Sequence, residues 1–205
     1  MIVDDLKNGI EVVLNPDKCT KAKMSVGDAL VMYYKFSVIP LVLSVILAAI
    51  SGFILGTAVA GSFGGIGGTG IAVILTVGVM ADLLIGLPIF MLVISLILYA
   101  IGKLLSMFNG TYANTFTGVV YSEFPSVAVV WLSFIPVLGS IIAFLAMLYG
   151  IWVFVNAEAN QNKTTKVNAF LVGLFTAIIV GIVMVVVIAL VGITLLSALH
   201  QASTA

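Results

Sequence analysis

The chain has 205 residues, 62% of them hydrophobic and 8% charged; its eight basic residues are all lysine, balanced by eight acids. A soluble domain carries about 25% charged residues. Ten charges fall in the first 35 residues, leaving six for the other 170, and 39 residues after Lys166 carry none. These stretches far exceed the ~18–20 apolar residues that cross a bilayer, which excludes a soluble enzyme, a nucleic-acid binder and a disordered tail, and implies an all-α polytopic membrane bundle.

Residues 1–35 read as a cytoplasmic lead. Ile2, Leu6, Ile10 and Val13 recur at helical spacing opposite Asp4, Asp5, Lys7, Asn8 and Glu11, the pattern of a short amphipathic helix on the membrane surface or against the bundle. Asn15-Pro16-Asp17 ends it. Met1-Ile-Val-Asp-Asp5 lacks the positive region of a cleaved signal, so the first span is expected to act as an uncleaved anchor. Ser25-Val-Gly-Asp28 matches a capping box that opens the next helix, and Lys35 marks its entry to lipid. The single Cys19 excludes an intramolecular disulfide and a cysteine metal cluster.

The bundle, 36–205, divides into about five spans. The first is 36–58, with Pro40 in its first membrane turn. A glycine-rich loop follows, and then the uncharged run 71–81, too short to cross alone and read as interfacial or partly re-entrant. Span two is 83–105, with Pro88 as its expected kink. Spans three and four, 118–135 and 141–157, form a hairpin around Ile135-Pro-Val-Leu-Gly-Ser140. The polar segment Asn160–Lys166 precedes span five, 167–199. With the N-terminus inside, all eight lysines fall on inner segments and none on outer ones, as the positive-inside rule expects. The C-terminus is then outside.

Few residues offer chemistry. Gly65-Ile-Gly-Gly-Thr-Gly70 fits G-x-G-x-x-G but lacks the preceding strand and the acid about twenty positions on, so it reads as a loop. Gly52 and Gly56 form a G-x-x-x-G that suits either close packing within the bundle or a dimer face. Asp82 and Glu123 are acids in otherwise uncharged runs, which by default suggests function. Asp82 is placed at the outer end of span two. Glu123 is placed about one and a half turns inside span three, within reach of Tyr99 or Lys103. Asn109-Gly-Thr111 and Asn162-Lys-Thr164 match the glycosylation sequon, face the cytoplasm on this map, and so test it. His200 has no partners for catalysis. No cofactor, metal or catalytic set is expected.

Tyr121-Ser-Glu-Phe-Pro125 removes one helical hydrogen bond, because Pro125 cannot donate to the Tyr121 carbonyl. This reads as a structural kink or a docking site. Together with Leu14-Asn15-Pro16, the five-span order and the polar turn before the last span, the motif resembles the Yip family of Ypt/Rab-interacting membrane proteins, from about Val13 to Leu195. Val120 stands where that family has glycine, and the D-L-Y-G-P signature and long N-terminal region of eukaryotic members are absent. The resemblance is to the short prokaryotic members and implies a non-enzymatic scaffold or adaptor in a prokaryotic cell membrane. Such a protein would act in membrane organisation or trafficking. Its partners would be membrane lipids and a protein on the cytoplasmic face, with a homo-oligomer also open and nucleic acid excluded. The alternative is a small permease or channel using Asp82 and Glu123.

Overall fold

The computed structural model describes residues 10, 11, 14–16, 24–58, 68–135 and 137–204, with side chains at 58, 68 and beyond 191 outside that description. Every regular element among these residues is helical. They are α1 (Val26–Ala58), α2 (Gly68–Ala81), a π-helical segment (Asp82–Gly86), α3 (Leu87–Leu104), α4 (Tyr112–Val129), a 3₁₀ segment (Val130–Phe134), α5 (Leu138–Gln161) and α6 (Lys166–Thr204). Residues 10, 11 and 14 are helical, and the Asn15 amide donates to the Glu11 carbonyl at 2.8 Å. The rest of the expected amphipathic helix, and the glycine loop up to Gly67, lie outside the described residues. Pro16 is buried.

Among the described residues, four helices are long and apolar enough to cross a membrane: Val26–Thr57, Thr69–Leu104, Leu138–Gln161 and Lys166–Val191. Their apolar side chains point outward. No more than 22% of the most apolar stretch of any of them is buried, and in Lys166–Val191 the share is 6%. In water such a surface would dwarf the few hundred Å² of contiguous apolar patch a soluble monomer tolerates; against lipid tails it is the expected arrangement. The chain is a multi-pass membrane protein.

The helix with the largest share of polar residues is the one that α1, α3 and α5 enclose. α4 carries Asn114, Thr115, Thr117, Ser122, Glu123 and Ser126, and buries Thr115 to Tyr121 together with Phe124, Pro125 and Val127. Polar side chains and freed carbonyls cannot face hydrocarbon without cost, so this 18-residue helix is enclosed by its more apolar neighbours. Phe36 of α1 stacks on Phe124 with ring centroids 4.3 Å apart. Met91, Leu98, Phe116, Val153 and Val172 complete the core from α3 to α6.

Two local expectations are met, and a third local motif is added by the structure. Ser25 and Asp28 close the capping box: the Asp28 amide donates to Ser25 Oγ at 3.1 Å and the Ser25 amide to Asp28 Oδ2 at 3.3 Å. Gly52 is buried where a Cβ would fall 2.5 Å from the Ala72 Cα and 2.8 Å from its nitrogen. The glycine therefore packs α1 on α2 within the chain, and Gly56, one turn on, is buried as well. α3 ends in a Schellman motif, with Met107 and Ser106 donating to the carbonyls of Gly102 and Lys103 and Ser106 at φ 55°.

The segment 71–81 is not a separate interfacial helix. It joins residues 82–104 in one helical run, interrupted only by the π turn. The 36 residues Thr69–Leu104 would measure about 54 Å, nearly twice a ~30 Å hydrocarbon core. The interruption leaves two carbonyls without their α-helical partners. The Leu87 amide donates to Asp82 instead of Leu83, and Pro88 has no amide to offer Leu84. Consecutive tyrosines of α1 supply both: the Tyr33 hydroxyl donates to Leu83 at 2.8 Å and the Tyr34 hydroxyl to Leu84 at 3.0 Å. These bonds correct the expected depths. Asp82 does not lie across the membrane from Lys35; the α1 turn that carries Tyr33, Tyr34 and Lys35 is level with it.

Candidate functional site

Two polar features stand out in the bundle. The first lies at the end where α3, α4, α5 and α6 meet their connections. Helix α5 ends in Glu158-Ala-Asn-Gln-Asn162, and the i, i+4 spacing places Glu158 and Asn162 on one face. The Asn162 side chain donates to Glu158 Oε2 at 2.6 Å and accepts from Thr115 Oγ1 at 3.1 Å. Across from it, the Asn114 side chain donates to the Gln161 carbonyl at 2.9 Å and the Asn109 amide to the Asn162 carbonyl at 3.0 Å. Glu158 and Asn162 are fully buried. Glu158 rests on Gly118, where a Cβ would fall 2.8 Å from its Cδ, and its Oε1 has no hydrogen-bond partner among the described residues.

Lys103, Lys163 and Lys166 rim this end, all exposed. Lys103 Nζ lies 5.7 Å from the centre of the Tyr99 ring and Lys166 Nζ 5.6 Å from that of Trp152, both within cation–π range. The opposite turn, with Ile135 and Val137 exposed, carries no charge among its described residues. The grouping of lysines at one end thus holds for the three described in this part of the chain.

The second feature is a groove of about 570 Å³ between α3, α4, α5 and α6. Its walls include Phe90, Ile94, Ile151, Phe154 and Phe170, and Glu123 is the only charged one among its described lining residues. A smaller adjoining pocket of about 240 Å³ is bounded by Glu123, Ser122 and Ser126. Glu123 is half-buried and accepts no hydrogen bond from a described residue.

The expected partners of Glu123 are engaged elsewhere. Tyr99 meets Tyr112 and Lys103, and Tyr112 donates to the Leu92 carbonyl at 3.0 Å. From Tyr112, Glu123 is eleven residues farther along α4, about 16 Å at 1.5 Å per residue, so it stands well away from Lys103. A Cβ on Gly150 would meet the Ser122 carbonyl at 2.9 Å, which places Glu123 near mid-length of α5. Asp82 and Glu123 are not toward opposite faces either, since Tyr33 bonds to Leu83, next to Asp82, and Phe36, one turn on, stacks on Phe124, next to Glu123. Tyr121 is buried, its ring edge-on to Phe124 at 5.6 Å; with Pro125 also buried, this motif sits inside the bundle and is not presented at its surface.

Glu158 is the residue that sequence reasoning passed over, because it adjoins a polar segment and looks interfacial in a charge count. Its i, i+4 pairing with Asn162 was the available signal. Burial also changes the sequons. Asn162 is fully enclosed and its amide nitrogen is committed to Glu158, so in the folded chain only Asn109, which is exposed, can report orientation. The chain matches no family model, no curated protein and no solved structure.

Proposed function

We propose that this chain is a non-enzymatic membrane scaffold or adaptor that docks an acidic partner on its lysine-rimmed end. The observation that carries the reading is the combination at that end of a fixed polar platform with exposed charge of one sign. Asn109, Asn114, Thr115, Glu158 and Asn162 are bonded to one another or to the facing backbone, which holds the surface in one shape. Lys103, Lys163 and Lys166 supply the charge that steers and registers a negatively charged partner. By the positive-inside rule this end is cytoplasmic, with α4 as a fifth, enclosed crossing, the N-terminus inside and the C-terminus outside. The resemblance to short Yip-family members supports a role in membrane organisation or trafficking in a prokaryotic cell membrane.

The test uses the full chain in its own membrane, with photo-crosslinking side chains placed at position 163 or, as a control, at 137. A partner is expected to crosslink from 163 and not from 137, and to be lost when Lys103→Glu and Lys166→Glu are added. Equal capture from both ends, or capture indifferent to charge reversal, would refute the reading. In a Cys19→Ser background, a cysteine at 163 should react with an impermeant maleimide only from the cytoplasmic side.

A further inference from the structure

The groove between α3, α4, α5 and α6 has the size of a small-molecule site, about 570 Å³ against the 300–1,000 Å³ usual for such sites. Its polar chemistry is one-sided. Ser122 donates its hydroxyl proton to the Val119 carbonyl at 2.7 Å, and Thr176 donates to the Val172 carbonyl at 2.8 Å. Both hydroxyls are therefore left with acceptor capacity only. Glu123, when ionised, is acceptor-only as well. No lysine is among its described lining residues. A phosphate-bearing headgroup would find neither a cation nor a spare donor there, whereas an ammonium group has three donors and no acceptor.

The remaining walls are apolar, and Glu123 stands near mid-length of α5, far from either end of the helix. An ordinary bilayer lipid keeps its head at the interface and does not match this placement. We propose that the groove binds a long-chain amine or similar single-tailed ammonium amphiphile. The head meets Glu123 beside Ser122, and the tail lies along Ile94, Ile151, Phe154 and Phe170. The attraction is an ion pair in a poorly solvated setting, which sets the choice of head, and tail burial supplies the affinity. This site is separate from the lysine-rimmed end, and neither assignment depends on the other.

The experiment measures binding of radiolabelled dodecylamine to the full chain in phosphatidylcholine nanodiscs, with empty nanodiscs as background and Asp82→Asn as a control for loss of a different acid. Saturable binding is expected in the wild type, displaced by unlabelled dodecylamine at least about tenfold more effectively than by dodecanol or dodecanoate. Glu123→Gln should weaken it about tenfold or more. Ala177→Trp, which keeps the carboxylate but fills the groove that Ala177 lines, should weaken it comparably, and Asp82→Asn should leave it unchanged. Displacement by dodecanol as effective as by the amine, undiminished binding in Glu123→Gln, or undiminished binding in Ala177→Trp would each overturn the proposal. The comparison of head groups rests on wild-type protein alone, so it decides the matter even where a variant fails to fold.

Discussion

Replacing Gly118 by alanine puts one methyl group where Glu158 now lies. The added carbon would fall 2.8 Å from the Glu158 Cδ and 3.4 Å from its Cγ. The carboxyl has little room to retreat, being fully buried and tied to Asn162 at 2.6 Å. Overpacking of this kind costs about 1–3 kcal/mol, and breaking the Asn162 bond with both groups still buried costs about 1–3 kcal/mol more. Alanine returns about 1 kcal/mol of helix propensity. The net loss should be about 3 kcal/mol, measured by titrating the chain from mild micelles into dodecyl sulfate while following Trp131 and Trp152 fluorescence. The mechanism is isolated by a double-mutant cycle. In a Glu158→Ala background the methyl meets no carboxyl, so Gly118→Ala should be neutral or stabilising by up to about 1 kcal/mol, a coupling of at least about 2 kcal/mol. Gly181, with nothing within 4 Å of its Cβ position, serves as the control, and Gly181→Ala should not destabilise. A coupling below about 0.5 kcal/mol would refute the assignment of Gly118 as the seat of Glu158.

The same unfolding assay reads two other features. Tyr34→Phe leaves the Leu84 carbonyl without its donor and should cost about 1 kcal/mol; the cost should vanish in a Pro88→Ala background, where residue 88 regains an amide for that carbonyl, and an unchanged cost there would contradict the pairing. Ser106 holds a left-handed backbone (φ 55°) in the Schellman turn after α3, so Ser106→Gly should stabilise by about 1 kcal/mol, and a destabilised variant would show that the Ser106 side chain matters more than its backbone.

Local rules written into a few adjacent residues were readable directly. Ser25 and Asp28 announce a helix start, Gly52 and Gly56 a close approach, and the hydropathy profile a membrane bundle. Register between helices was not readable, because it depends on pairs remote in sequence. Tyr33 and Leu83 are fifty positions apart, and only their hydrogen bond reveals that Lys35 and Asp82 share a level. Residues 71–81 read as a separate segment because Asp82 and Pro88 break the apolar run, yet a π turn absorbs the break without ending the helix. Glu158 was hidden for the opposite reason. A polar neighbourhood in sequence suggests water, but Gly118, forty positions away, provides a dry seat for it. Glu123 was recognised as significant while its surroundings were not, since the groove is assembled from four helices.

The exposed length of α6 has a consequence for the groove. Lys166–Val191 is 26 residues, about 39 Å of helix, and most of its side chains are spent on lipid and not on the protein. Phe170, Gly173, Leu174, Thr176 and Ala177 nevertheless form one wall of the groove. A helix longer than the ~30 Å hydrocarbon core tilts to match it, and bilayer thickness therefore acts on this wall directly. A change of bilayer thickness is therefore expected to change the width of the groove through this wall, which belongs to the least buried of the spanning helices.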